Sequence, residues 1–364
     1  MSMVLKSSLT AVLAAIFLAL CPAARAAEAK APASLEEQLQ VLSSALVESF
    51  NSGDWEMLEL VADGVKAAGL KGPDLEVFAL TSERDAALNT AMGMWPDKNR
   101  ILVWGLAFRA KLGGEKALAA LREKALAKLT PVEQPKPAKG GVFNPEEYKA
   151  WSKYQADLAV RNTALLALAL LGNKDAGSTA WETLLKAEPG AGGWGLTASP
   201  LVLAVLAAEG EAGWKKLAGF CSPAEGDGAE FGRRVTVLAS LAALANTDRP
   251  ASHAQAFKVE GKLAKTLPAD AGATLRAAFV KLAEKLPEAE TANFSILFAA
   301  GAIPGLTGDE AALQALKSLK GRCKTGAAGQ WDKAIDRIIS PPPAKQPAAG
   351  GPAKPDPVPQ KETF

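Results

Sequence analysis

Residue types that carry metal or nucleophile chemistry are scarce in this sequence. It has one histidine, His253, and three cysteines among 364 residues. Zinc sites of the usual kind take three or four His or Cys ligands, and no calcium-binding loop of the D-x-[DN]-x-[DN]-G type is seen. No catalytic Ser or Cys is evident beside His253. The sequence therefore predicts no metal and no cofactor, and it favours a protein without enzymatic activity.

Long apolar runs are also lacking. The run from Leu9 to Leu20 is shorter than the ~20 residues of a membrane-spanning helix. It follows Lys6 and precedes Pro22 and the small-x-small sequence Ala24-Arg25-Ala26, which is the order of features in a cleavable signal peptide. We expect cleavage after Ala26, which removes residues 1–26. The remaining chain is then periplasmic or secreted and has no membrane span.

The chain has no excess of positive or negative charge once this segment is removed. Residues 1–26 hold two of the 41 basic residues and none of the 39 acidic ones, so the remaining chain is balanced. Binding to nucleic acid needs a field of one sign. A nucleic-acid partner is therefore not expected.

Strand-type alternation is missing, and helical spacing recurs instead. Leu35, Leu39, Leu42, Leu46 and Phe50 fall on one helix face, because they follow one another at three- and four-residue steps. Ser34 and Glu37 form a capping-box start for this helix. Similar spacing places four residues of a later segment on one face: Leu275, Phe279, Leu282 and Leu286. These patterns predict an all-α chain.

Two segments are rich in proline and poor in large apolar residues. Residues 130–144 (TPVEQPKPAKGGVFN) read as a linker, and residues 340–364, with eight prolines, read as a disordered tail, because proline removes helix donors and little apolar surface offsets the ordering entropy. The linker separates a predicted N-terminal helical region, 27–129, from a helical-repeat region, 145–339.

Four junctions share one form, in which a helix ends in small apolar residues and a glycine or asparagine before a second helix begins. The junction residues are Gly113, Gly172, Gly210 and Asn246, which suit a left-handed helix C-cap. Their spacing, after the linker is discounted, lies near the ~34 to ~47 residue period of helical-pair repeats. The segment Arg161 to Lys186 (RNTALLALALLGNKDAGSTAWETLLK) resembles the HEAT-type repeats. That resemblance implies an all-α superhelix of stacked antiparallel helix pairs that binds other proteins and carries out no chemistry.

A second resemblance concerns the segment Gly190 to Gly210 (GAGGWGLTASPLVLAVLAAEG). It is similar to one repeat of the α/α-toroid group that includes terpene cyclases and prenyltransferase β-subunits. Only one such repeat is visible, and the acidic motif of the cyclases is absent. The resemblance therefore extends to shape and not to activity.

Aromatic residues supply the candidate contacts with a protein partner. Tyr148, Trp151 and Tyr154 recur every three residues along a predicted helix. They could stack on a partner or form the buried face of their own helix, which is the commoner use of aromatic area. Trp194 lies in a glycine-rich turn, where it is either an exposed contact or a plug on its own helix pair.

Cys221 and Cys323 are the two cysteines left after signal removal, and export permits a disulfide between them. In an open array they would lie roughly 20–30 Å apart, whereas a disulfide needs Cα atoms within about 7 Å. An open array therefore predicts two free thiols, and a bond would indicate a closed body.

Three functions fit these patterns. The sequence favours an exported, non-enzymatic helical-repeat scaffold that mediates protein–protein interaction. The alternatives are an α/α-toroid enzyme or carbohydrate-processing protein, and a cell-envelope assembly factor that acts through its proline-rich tail.

Overall fold

A computed structural model of the 364-residue chain describes residues 35–91, 98–136, 143–186, 199–222, 228–246, 260–286, 295–322 and 328–340. The predicted signal peptide, nearly all of the proline-rich tail, Trp194 and Cys323 lie outside these residues. The predictions that concern them stay predictions.

Within these ranges the chain forms fifteen α-helices, one short 3-10 helix and no strand, so the predicted all-α fold of packed neighbouring helices is confirmed. The helices are α1 (Leu35–Ser52), α2 (Trp55–Ala67), α3 (Gly72–Ala91), α4 (Lys98–Lys111), α5 (Glu115–Ala125), α6 (Pro145–Leu170), α7 (Lys174–Lys186), α8 (Ser199–Glu209), α9 (Glu211–Cys221), α10 (Gly228–Ala245), α11 (Glu260–Ala264), α12 (Ala271–Lys285), α13 (Ser295–Ala302), α14 (Glu310–Arg322) and α15 (Ala328–Ile339), with the 3-10 helix at Leu306–Gly308.

Glycines with positive φ end the first helix of three predicted pairs. Gly113, Gly172 and Gly210 have φ of 89°, 90° and 57°, a region that an L side chain rarely adopts. They separate α4 from α5, α6 from α7 and α8 from α9. The predicted helix–glycine–helix form is confirmed at these three junctions. At the fourth, α10 ends at Ala245, and the residues after Asn246 are not described.

The helices stack in two rows. In one row α4, α6, α8, α10, α13 and α15 each pack against the next. The partner helices α5, α7, α9, α12 and α14 lie beside them, and α9, α12 and α14 pack in succession. This arrangement suits helix pairs that cannot bury their apolar faces alone.

The middle of the first row is buried on all sides. Every residue from Asn162 to Ala169 in α6 is buried, and so is every residue from Pro200 to Leu206 in α8. Such runs exceed one helical turn, so no face of either segment reaches solvent. A helix that is apolar all round belongs in an interior.

Two ion pairs show that the stack curves. Lys262 Nζ lies 2.7 Å from Glu59 Oε2, and Lys265 Nζ lies 3.1 Å from Glu56 Oε1. They join α2 to Lys262 in α11 and to Lys265 just after it, about 200 residues later in the chain. Since α2 also packs on α4, and α11 packs on α8, the contacts α2–α4–α6–α8–α11 return to their start, and α6 lies midway along them.

Helices on both sides of the predicted linker pack together. Residues 127–136 form no helix. Pro135 is nevertheless buried, and α6 packs on α4 and α5. The 130–144 segment therefore connects neighbours of one continuous stack. None of the helices described here is both long and apolar enough to cross a membrane.

Candidate interaction site

The start of α6 has little tertiary cover. This helix has 26 residues and is therefore about 39 Å long. Residues 145–150 are all exposed, Trp151 and residues 154–157 are half-buried, and the first buried residue is Leu158, at 8% exposure. Cover by neighbouring helices therefore increases along the first half of α6.

Local sequence explains why this segment is helical without that cover. Asn144 Oδ1 accepts a hydrogen bond from the Glu146 backbone nitrogen at 3.1 Å, and Asn144 Nδ2 donates to Glu147 Oε1 at 3.1 Å. Pro145 stands at the first helical position, where its missing N–H costs nothing. Glu146 and Glu147 in the first turn also complement the helix dipole. The cap therefore holds the start of α6 in place of packing.

Three aromatic rings cluster around the start of α6. The ring centroids of Phe143 and Tyr148 lie 6.0 Å apart, and those of Tyr148 and Trp151 lie 5.8 Å apart. Successive ring planes are tilted by 47° and 46°. We call Phe143, Tyr148 and Trp151 the aromatic ladder. Phe143 is 41% exposed and Tyr148 is 49% exposed, so the ladder presents aromatic area to solvent.

The sequence interpretation that assigned these aromatic residues to a buried helix face does not hold for Tyr148. Trp151 and Tyr154 are half-buried, and only Tyr148 and Trp151 of the predicted stripe join the ladder. Phe143 was not predicted. A recognisable signal was present, because an apolar residue just before the cap commonly packs on the fourth helical residue as a hydrophobic staple. Phe143 and Tyr148 hold these two positions.

A second aromatic cluster lies where α7, α9 and α10 pack together. Trp181 and Phe220 meet edge to face at 5.4 Å, with Lys216 Nζ 5.7 Å from the Trp181 ring and Arg234 4.8 Å from the Phe220 ring. Arg234 also donates to the carbonyls of Phe220 and Ser222 at 2.6 and 2.7 Å and pairs with Glu230. These contacts fix the C-terminal end of α9 against α7 and α10. The cluster serves packing, in contrast to the ladder.

The carboxylate of Glu83, whose side chain is 13% exposed, lies between α3 and α4. Burial raises the pKa of Glu83, although the nearby Arg109 opposes this. Arg109 bridges Glu83 and Glu76 at 3.1 and 2.8 Å. Gly105, which lacks a Cβ, lets the Glu83 side chain lie against the α4 backbone. A raised pKa suits a general acid, but here the carboxylate is tied to an arginine in a helix–helix contact.

Cys221 carries a free, buried thiol. Burial raises the pKa of this thiol, so it resists forming the reactive thiolate. Cys323 is not among the described residues, so the predicted separation of the two cysteines stays a prediction. Across the described ranges no group of three or more His, Cys, Asp or Glu side chains is placed to hold a metal ion.

Comparison with protein-family models, with curated proteins and with solved structures finds no match to this chain. The aromatic ladder is the candidate interaction site.

Proposed function

We propose that this chain is an exported, non-enzymatic helical-repeat scaffold that binds a protein partner through the aromatic ladder of α6. The observation that carries the proposal is the contrast within one helix. Aromatic rings cluster at the exposed end of α6, whereas the second half of the same helix, which is buried, has no aromatic residue. Tyrosine and tryptophan are the residues most enriched at interface hot spots.

Two further features support a contact surface. The cap at Asn144 and the staple between Phe143 and Tyr148 hold the rings in place before a partner arrives, which lowers the entropy lost on binding. Exposed Lys149 and Lys153 flank the rings and supply the polar rim of a typical interface. The predicted export signal in residues 1–26 favours a partner in the periplasm or outside the cell.

Site-specific crosslinking in the producing cell tests this function. A photoreactive phenylalanine analogue at position 148 should yield a crosslinked protein partner. Phe298 is the matched control, since this aromatic on α13 is 51% exposed and lies outside the ladder. The proposal fails if position 298 gives the same product or if position 148 gives none.

The double variant Tyr148→Ala and Trp151→Ala provides a second readout. It should abolish capture of the partner identified at position 148, while the melting curve keeps its cooperative transition. Equal capture by the variant would show that the ladder is not the contact.

A further inference from the structure

The aromatic ladder has the chemistry of a site for proline-rich peptide, and the chain carries such a peptide itself. Grooves lined by aromatic rings bind polyproline II segments, because proline rings pack flat on aromatic faces and the segment loses little entropy on binding. Residues 341–364 contain eight prolines and are not described in the structure. We infer that the C-terminal tail of the chain occupies the aromatic ladder in cis, as a competitor of the partner. This inference rests on the proposed function.

Ring spacing fits the repeat of the tail. Polyproline II advances ~3.1 Å per residue, so two residues advance about 6 Å. The centroids of the ladder lie 6.0 and 5.8 Å apart, and Pro355, Pro357 and Pro359 recur at every second position. Prolines two residues apart point about 120° away from each other around the axis, whereas successive ring planes are tilted by 47° and 46°. The correspondence is therefore one of spacing along the axis.

Chain length permits the contact. From α15 back to α6 the row passes through α13, α10 and α8, four steps of roughly 8–10 Å each, or about 40 Å. The tail begins directly after α15. Extended as polyproline II from Ser340, it reaches Pro355 after about 46 Å and Pro359 after about 59 Å, so its last prolines can span the row back to α6.

Charge on the two surfaces is compatible. Asp356 lies between two of the prolines and Lys354 precedes them. The exposed side chains beside the ladder include Lys149 and Lys153 as well as Glu146 and Glu147. Lys354 and Asp356 therefore each have an opposite charge available at the ladder.

The whole chain contains only two tyrosines, Tyr148 and Tyr154, which makes the inference directly observable. Full chain labelled with 3-fluorotyrosine should give two fluorine resonances, which Tyr154→Phe assigns. The comparison is between the native full chain and the full chain carrying Pro355→Ala, Pro357→Ala and Pro359→Ala. Loss of the tail contact should shift the Tyr148 resonance and leave that of half-buried Tyr154 nearly unmoved. Lys345→Ala, which changes the tail without removing a proline, should shift neither.

A synthetic peptide of residues 341–364 then serves as the probe. Added to the proline-substituted chain, it should return the Tyr148 resonance toward its native position. The native chain should need about tenfold more peptide, because its tethered tail competes at high effective concentration. A peptide with all eight prolines replaced by alanine should have no effect.

Three results would overturn the inference. An identical Tyr148 resonance in the two chains, unmoved by peptide, would show that the ladder does not bind proline-rich segments, while crosslinking at position 148 would still test the proposed function independently. Equal peptide affinity for both chains would place the native tail elsewhere. A Tyr148 shift that disappears on dilution of the native chain would assign the contact to the tail of a second copy.

Discussion

The two halves of α6 share one helix and have opposite environments. In residues 145–150 every side chain is exposed, whereas Asn162 to Ala169 are all buried. The first half reads PEEYKAWSKYQAD and the second LAVRNTALLALAL. The first is held by its cap and its aromatic staple, and the second by packing on neighbouring helices. A continuous backbone helix can thus join a surface to a core when each half carries the side chains that suit it.

The largest effect should come from one substitution made in both halves. Ala164 is fully buried and Ala150 is exposed. Ala164→Asp places an uncompensated charge in the interior and should cost roughly 3–5 kcal/mol of unfolding free energy. Ala150→Asp should cost less than about 1 kcal/mol, the helix-propensity difference. Urea denaturation followed by far-UV circular dichroism measures both, and similar midpoints would refute the division of α6.

Removing core volume is the next largest change. Leu165 is 1% exposed, so Leu165→Ala should destabilise the chain by about 2–5 kcal/mol through lost burial and the cavity left behind. Leu126, at 68% exposure, is the matched control, and Leu126→Ala should change the free energy by no more than about 0.5 kcal/mol. A comparable loss at Leu126 would contradict the burial pattern.

Two asparagine caps should differ in how much of the chain their loss destabilises. Asn144 caps α6, and Asn173 caps α7 by accepting from the backbone nitrogens of Asp175 and Ala176 at 3.0 and 3.3 Å. Replacement of either by alanine removes about 1 kcal/mol of capping. For Asn173→Ala the loss should appear in global stability. For Asn144→Ala it should appear as faster amide exchange confined to residues 145–150, because these exposed residues have no packing to hold them once the cap is lost. Faster exchange throughout α6 would show that its halves are coupled.

The smallest effect concerns the ion pairs between α2 and α11. Burial alone would raise the pKa of Glu59, but hydrogen bonds from Lys262 and Lys111 outweigh it and lower the pKa. The pairing therefore contributes stability that is fully present above the ordinary carboxyl pKa and is lost as the pH falls through the lowered value. Glu59→Gln should remove this acid-side loss and cost below about 1 kcal/mol at neutral pH.

Glu83 gives the opposite pH dependence and serves as the control. Because burial raises its pKa, the folded chain binds the proton more readily than the unfolded chain. Its contribution is therefore most favourable at low pH and declines as the pH rises through the raised value. Glu83→Gln should flatten that decline. If both variants change the pH profile in the same direction, one of the two assignments is wrong.

Much of the fold could be predicted from local sequence. The leucine spacing predicted buried faces correctly for Leu42, Leu46 and Phe50, and for all four residues from Leu275 to Leu286. Leu35, predicted for the same face, is 50% exposed and is the first residue of α1. Glycine was predicted at three helix junctions because a C-cap needs a positive φ, and all three glycines have one. At Gly210 the ψ of −125° nevertheless differs from the left-handed helical conformation.

The candidate site was only partly predictable. The spacing of Tyr148 and Trp151 identified the residues, but it did not distinguish a core face from a surface, because both give the same period. Phe143 was assigned to the linker, although its position before Asn144 and Pro145 carries a staple signal. The ion pairs of Glu59 and Glu56 with α11 could not be predicted, because they join residues about 200 positions apart.

The sequence by itself therefore determined the helices, the glycine turns that end three of them and the all-α class, because these depend on residue spacing and backbone conformation within a few positions. Only the tertiary structure decided that the stack curves until α2 meets α11, that the second half of α6 is enclosed, and that its aromatic first half is left exposed. Those outcomes depend on which helices become neighbours, and burial is a property of neighbours in space rather than of neighbours in the chain.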